Sequence, residues 1–416
     1  MMNFFETVKN SFLRGVNSLS GRMQLFFHRP KKPAAPLADR LLADALLLGE
    51  IPSPTEREEE RAVFVAERLN SLSIPHTIDG EGNIIVRLHG RGGRSAEPLL
   101  LFTGLGSERW NSFGSLGHLD TRYASGAGLA DALGPAALLS VAESHNAGLS
   151  FWERDIILLF SVFGFDDPSK DAFLSFTEAR RRPFAALGIR GFSPGVIFTP
   201  AQGSYRVEIK LYRETEEERK KAEERKKHEK VPETQEKTTN AAGDLTGTLV
   251  NMASGYLEKN GEDGDLSINI RRIEARTVYD RVPLEGVLEL DLESSNREKL
   301  DGALEKIKAD TEKYNAEGLA SSLQVLSSIP PADPALCGKL AKILGNAAKS
   351  LKLKPVERSG ADPSSFLVNM GIPALSIGLA EGRAGVDHDT VEIATVETGR
   401  LLLERCIELI TGEEQW

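Results

Sequence analysis

Cysteine is nearly absent from this chain: two residues in 416, Cys337 and Cys406, well separated in sequence. That excludes a disulfide framework and a cysteine-ligated zinc site, and it makes a reducing, cytoplasmic setting the expectation. Long apolar runs are missing too. No segment could span a bilayer uninterrupted, and the amino terminus has neither a signal-peptide apolar core nor a small-residue cleavage site. Positive charge is in deficit, with a formal net charge of -10, so no nucleic-acid partner is expected. Two catalytic signatures are also wanting. No Gly-x-Ser-x-Gly closes a strand, which leaves Ser-His-Asp chemistry without a nucleophile elbow, and Gly126-x-Gly128 lacks the third glycine of a dinucleotide fingerprint.

What remains is the composition of a globular protein, 40% hydrophobic and 27% charged, with length for two or three domains. Residues 1–35 stand apart. Phe5, Val8, Phe12, Val16, Leu19, Met23 and Phe26 recur at helical spacing, and through Lys32 six basic residues oppose Glu6 alone. A basic amphipathic helix of this kind can lie on anionic lipid. Residues 1–32 therefore predict contact with a membrane surface, against the plainer expectation of a terminal helix packed on a partner.

From Pro36 the pattern is α/β. Helices through "LADRLLADALLLGE" and "EREEERAVFVAERLNSL", the second with Ser53 or Thr55 placed to cap it, precede strands at "NIIVRL", "PLLLFTG", "DIILLFSVF" and "GVIFTP". Continuous apolar strands separated by helices predict a mixed sheet covered by helices. After Tyr205 the composition changes. "RVEIKLY" reads as a strand and is followed by a charged excursion over 213–240, a solvated segment without an apolar face. A smaller α/β unit then runs to residue 329, and the first style returns over 330–416, beginning with a helix from Ala332 to Leu351. The predicted organisation is thus one domain built from 36–204 and 330–416, with a smaller α/β domain, 205–329, inserted in it.

Several stretches taken in order, "LLLGEIPSPTEREEERAVFVAERLNSLSIPHTIDGEGNIIVRLHG", "PLLLFTG", "GAGLADALGPAALL", "RDIILLFSV", "VPLEGVLELDLES" and "GADPSSFLVNMGIPALSIGLAEG", resemble the landmarks of the M20 metallopeptidases. That family groups di-zinc hydrolases of the aminoacylase, carboxypeptidase and tripeptidase type. The resemblance covers roughly 36–412. It implies a catalytic α/β domain, an inserted lid domain that serves dimerisation, and a peptide or acylated amino acid as ligand. It also implies two zinc ions, held by histidines and carboxylates around one bridging carboxylate, with a glutamate to take a proton from the bridging water.

Carried over residue by residue, the resemblance meets many departures. The family's strand leading into Gly-His-x-Asp corresponds to "PLLLFTG" running into Leu105, Gly106 and Ser107, none of them a good zinc ligand. "GHLDT" supplies His118 and Asp120 thirteen residues later, where the following "TRYASGAGLAD" resembles the family's hairpin before the bridging Asp. By that count Asp131 is the bridging residue and His118 and Asp120 belong to a turn, with a slipped loop as the alternative. A Glu-Glu pair is replaced by Gly164 and Phe165, with Asp166 close behind. Thr199 stands for an acidic ligand, and Glu293 for a substrate-binding Arg. Asp131 and His388 are the retained ligand candidates, His118, Asp120 and Asp166 the rebuilt ones, and Asp362 matches a family Asp at the substrate end.

Three expectations follow. The first is an M20-like protein that has lost di-zinc hydrolysis and binds a ligand or partner in the old cleft. The alternative is an active metal-dependent peptidase or amidohydrolase whose zinc is held by His118, Asp120, Asp131, Asp166 and His388; a third reading is a scaffold docked peripherally on membrane.

Overall fold

The computed structural model describes residues 36–54, 58–92, 97–107, 117–162, 182–213, 245–258, 264–276, 285–314, 319–385 and 387–413. The amino-terminal segment, Asp166 and residues 214–240 of the charged excursion lie outside them. The chain divides into two compact units, one of residues 1–200 with 333–416 and one of 201–332. No helix among the described residues is long and apolar enough to cross a membrane.

The first unit is built on strands that the sequence marks as unbroken apolar runs. β3 (Leu99–Gly104), β6 (Ile156–Ser161), β7 (Ala185–Phe192) and β13 (Ala374–Ala380) lie parallel in the order β6-β3-β7-β13. β2 (Ile84–Leu88) continues the sheet antiparallel to β6, and β1 (His76–Ile78) pairs antiparallel beyond it. On the other side, Ile197 and Phe198 at the start of β8 (Val196–Arg213) pair antiparallel with β13. Every side chain from Ile156 to Phe160 is fully buried, as a strand covered on both faces requires. Each such side chain contributes roughly 1.5–3 kcal/mol on leaving water.

Helices α1 (Leu37–Gly49), α2 (Glu59–Ser71), α3 (Leu129–Asn146) and α8 (Ile393–Thr411) supply the packing. α3 lies on β3 and β7 and carries α1 and α2, while α8 packs on β13 and α1. Close approach of helix and sheet depends on glycine. A Cβ on Gly191 would strike the Ala130 carbonyl of α3, and one on Gly399 the Leu379 carbonyl of β13. Polar groups are buried in pairs. Between α1, α2 and α3, Arg68 Nε reaches both carboxylate oxygens of Asp44 at 3.0 Å, and Glu143 is 3.5 Å from Arg68 and 3.3 Å from Arg40. Burial raises the Asp44 carboxyl above its usual range, and Arg68 opposes the rise.

Two expectations about helix starts are corrected. Ser53 does not cap α2, which begins at Glu59 with no side-chain cap; its hydroxyl is used elsewhere, as described below. The helix expected from Ala332 opens as a 3-10 turn, Pro334–Cys337, with the Asp333 carboxylate accepting from Ala335 N at 2.9 Å. It then runs as α6 (Gly338–Ser350). A second, small sheet in the order β14-β15-β5-β4 combines β4 (His118–Leu119), β5 (Tyr123–Gly126), β14 (Gly382–Arg383) and β15 (Asp389–Glu392).

The second unit is an antiparallel sheet in the order β9-β10-β8-β11, from β9 (Ser267–Arg276), β10 (Glu285–Ser294), β11 (Leu319–Ile329) and the later part of β8. The sequence suggested separate strands at "GVIFTP" and "RVEIKLY"; they are one strand. Alternation along β10 turns Leu288, Leu290 and Leu292 inward. There they join Val207, Ile209 and Leu211 of β8 under α4 (Leu245–Glu258) and α5 (Arg297–Lys313). On the alternate positions Glu289 lies opposite Glu208, and one guanidinium, Arg272, bridges this like-charged pair at 2.6 and 3.0 Å.

Candidate functional site

The site is assembled where parallel strands end and helices begin, the end of an α/β sheet at which ligands are bound. β5 leads into α3 through Gly128, whose φ of +61° lies in the left-handed region, natural to glycine. This turn sets Ala130 and Asp131 in the first turn of α3. The Ala130 N–H donates to Asp389 Oδ2 at 3.0 Å, so a fully buried carboxylate sits on the helix start, where the helix dipole favours negative charge. Asp389 also lies opposite Gly126 in the β15–β5 ladder. His388, half-buried, precedes it directly. The fold therefore brings the segments carrying Asp131 and His388 alongside each other.

Asp131 is exposed and in the helical first turn. Its Oδ2 accepts from the hydroxyl of buried Ser107 at 2.7 Å. Ser107 lies just past the end of β3 in the segment Leu105–Gly106–Ser107, which is held from below. The Ser107 N–H donates to the Ser53 carbonyl at 2.7 Å, while the Ser53 hydroxyl donates to the Leu105 carbonyl at 3.0 Å. Arg61, 0% exposed, donates from Nη1 to that same carbonyl and from Nε to the Ile51 carbonyl, both at 3.1 Å. Burial lowers the guanidinium to about 10; the charges of Asp131 and then Glu58 act in the opposite direction. Glu58 is buried beside Gly106, where a Cβ would come within 3.2 Å of its Oε1.

The remaining sequence candidates fall in three places. His118 is exposed on β4, the edge strand of the small sheet, opposite Ser125. Asp120 occupies the turn that follows, its Oδ1 accepting from Tyr123 N and Arg122 N, both at 2.6 Å. These hydrogen bonds, Tyr123 first, hold its carboxyl below the usual range. Asp362 is 1% exposed. Its Oδ1 accepts from the Ser376 hydroxyl at 2.8 Å and from Ser364 N at 3.0 Å, at the start of α7 (Ser364–Asn369), and Oδ2 lies 3.2 Å from Arg190 Nε. Asp166 lies outside the described residues. The Thr199 hydroxyl donates to the Arg358 carbonyl at 3.4 Å. Among the described residues, no group of three or more His, Cys, Asp or Glu side chains converges as a metal site.

Arg61, Ser53 and Asp389 were not singled out by the sequence as site residues. One signal was available for Arg61. The buried stripe of α2 is Arg61, Phe64, Val65, Arg68 and Leu69, so two arginines occupy the apolar spacing of an otherwise regular amphipathic helix.

A helix-covered mixed sheet, interrupted by a second α/β unit and with its candidate site at the carboxyl ends of the parallel strands, defines the class. Within it, the fold is that of the M20 peptidases. A dinuclear metal-binding peptidase of the M20 family from Bacillus subtilis superposes with a TM-score of 0.53 at 13% identity, over 90% of this chain and 98% of that one. The dipeptidase Dug1p from Saccharomyces cerevisiae gives 0.63 at 12% identity, covering 91% and 97%. Human carnosine dipeptidase 1 gives 0.65 at 11%, covering 90% and 97%. No protein-family model and no curated protein matches the sequence.

Proposed function

We propose that this protein uses the M20 peptidase fold for binding, without the family's di-zinc hydrolysis. Its ligand is a peptide or acylated amino acid, or a partner presenting such a group. The observation that carries this reading is the segment Leu105–Gly106–Ser107. By the resemblance it stands for a ligand-bearing strand end, yet it offers a buried leucine side chain, a glycine and a hydroxyl already donated to Asp131. Its backbone is held by Ser53 and Arg61. The described residues do not fit a pair of zinc ions. Two dications need several carboxylates and imidazoles, and here a retained carboxylate is matched with a serine and lies in the field of a buried guanidinium. The exposed hairpin carrying His118 and Asp120 agrees with this, since one Asp120 carboxylate oxygen already accepts two backbone N–H groups.

The deciding experiment is a calorimetric zinc titration of the full chain beside Asp131→Ala and His388→Ala, with hydrolysis of dipeptides and acylated amino acids followed in parallel. We expect no tight stoichiometric zinc binding and no turnover. Two tightly held ions, lost in both variants, would establish the alternative, an active hydrolase with a rebuilt site. Docking on membrane through residues 1–32 is tested by pelleting with anionic liposomes with and without that segment, and pairing through residues 205–329 by sedimentation.

A further inference from the structure

A buried charge is kept in a folded protein only when its surroundings compensate it. Arg61 is the largest of the fully buried side chains among the described residues, and it lies at the candidate site. Two of its three nitrogens are committed to main-chain carbonyls, those of Ile51 and Leu105; Nη2 is buried with no hydrogen-bond partner among the described residues. Carbonyl dipoles alone do not balance a full positive charge. The anions nearby are those of the site. Glu58, three residues earlier on the way into α2, lies against Gly106, and Asp131 is fixed to Ser107 in the same three-residue segment. Both carboxylates stabilise the charged guanidinium.

We propose that Arg61 is a resident cation which takes over the charge-balancing and bracing work that bound metal performs in a metallopeptidase of this fold. It offsets Glu58 and Asp131 while its planar fork holds the ends of two loops, at Ile51 and at Leu105, in one arrangement. The inference rests on the reading of a site without zinc. It makes Arg61 a positioning residue, acting on the site through the 105–107 segment. A consequence is specific to charge: removing the side chain should leave a place that prefers a small planar cation over a neutral molecule of the same shape.

The experiment uses the full chain and thermal unfolding. Arg61→Ala is compared with wild type in millimolar guanidinium and, separately, in millimolar urea, which matches guanidinium in shape but carries no charge. Arg61→Ala should melt roughly 3–6 °C below wild type, as expected for the loss of one partner of a charge cluster around a buried guanidinium in a protein of this size. Guanidinium should recover part of the loss and urea none, with wild type unmoved by either. In Arg61→Ala with Asp131→Asn the recovery should shrink. If Arg61→Ala does not fold, Arg61→Lys and Arg61→Gln decide: lysine melting above glutamine supports the proposal. Equal effects of the two solutes, or glutamine melting at or above lysine, overturn it and leave Arg61 as packing. Stoichiometric zinc in the wild-type titration would instead overturn the functional reading, so the two failures are told apart.

Discussion

Replacing Gly191 by alanine tests how closely the candidate site depends on helix-to-sheet contact. Gly191 lies near the end of β7 against the first turn of α3, and an added Cβ would sit 2.9 Å from the carbonyl carbon and 3.2 Å from the Cα of Ala130, with the carbonyl oxygen closer still. Both partners are backbone, so no side chain can rotate away. Relief requires the start of α3 to retreat by about 1 Å, which also strains the bond from Ala130 N to the buried Asp389 carboxylate. Overpacking of this kind costs about 1–3 kcal/mol, and a weakened hydrogen bond to a buried charged acceptor adds about 1.5–3 kcal/mol. Together these predict a melting temperature lower by roughly 3–7 °C. Calorimetry of the full chain measures the fall, and hydrogen exchange should show faster exchange at the amides of residues 130–133. Gly345→Ala is the control. In α6 the nearest atom to its new Cβ is Pro355 Cβ at 3.9 Å, so it should gain about 0.5–1 kcal/mol from the smaller entropy of the unfolded chain. A Gly191→Ala protein that melts within a degree of wild type would refute the packing argument.

Two further outcomes follow from titratable groups. The hydroxyls of Ser294 and Ser295 hold the Asp265 carboxyl down at about 2 against an ordinary 3.8. A depressed carboxyl stabilises the fold above its unfolded value, and that stability is lost as pH falls from about 4 towards 2. The urea midpoint of Asp265→Asn should therefore change less than wild type between about pH 5 and pH 2.5; parallel curves would contradict this. Burial pushes the Cys406 thiol up to about 12 and raises Cys337, which is also buried and donates from Sγ to the Ala374 carbonyl at 3.3 Å. Native protein should not react with an aromatic disulfide reagent, both thiols appearing only on unfolding. Rapid labelling in native buffer would show that the core opens far more readily than described.

The α/β architecture was legible because the signals that specify it are local. Runs such as Ile156 to Phe160 have no polar face, so they demand cover on both sides, and the order of the landmarks then pointed to the M20 fold. The break expected before Arg206 was misleading. β8 continues through Gln202, Gly203 and Ser204, where Gly203 leaves room for the backbone of Ile329 and Pro331, with Pro331 N 2.6 Å from where its Cβ would be. Ser53 was misread for a related reason. A serine ahead of a glutamate-rich helix is a good cap, but the chain delays the helix until Glu59 and spends the hydroxyl on Leu105, 52 residues away. The Arg61 arrangement depends on the same long-range meeting of 51, 61, 105 and 131, which no spacing rule encodes. Charged residues crowd the start of α2, so one that points inward looks like its solvated neighbours.

The insertion leaves and rejoins its host through two strands that are themselves hydrogen-bonded neighbours, with Ser204 opposite Ile329. More than a hundred residues of the second unit therefore begin and end a single ladder rung apart. Growth, shrinkage or exchange of that cassette need not tug on the β-strands flanking it, since the distance to be closed is set by the rung and not by what is hung from it.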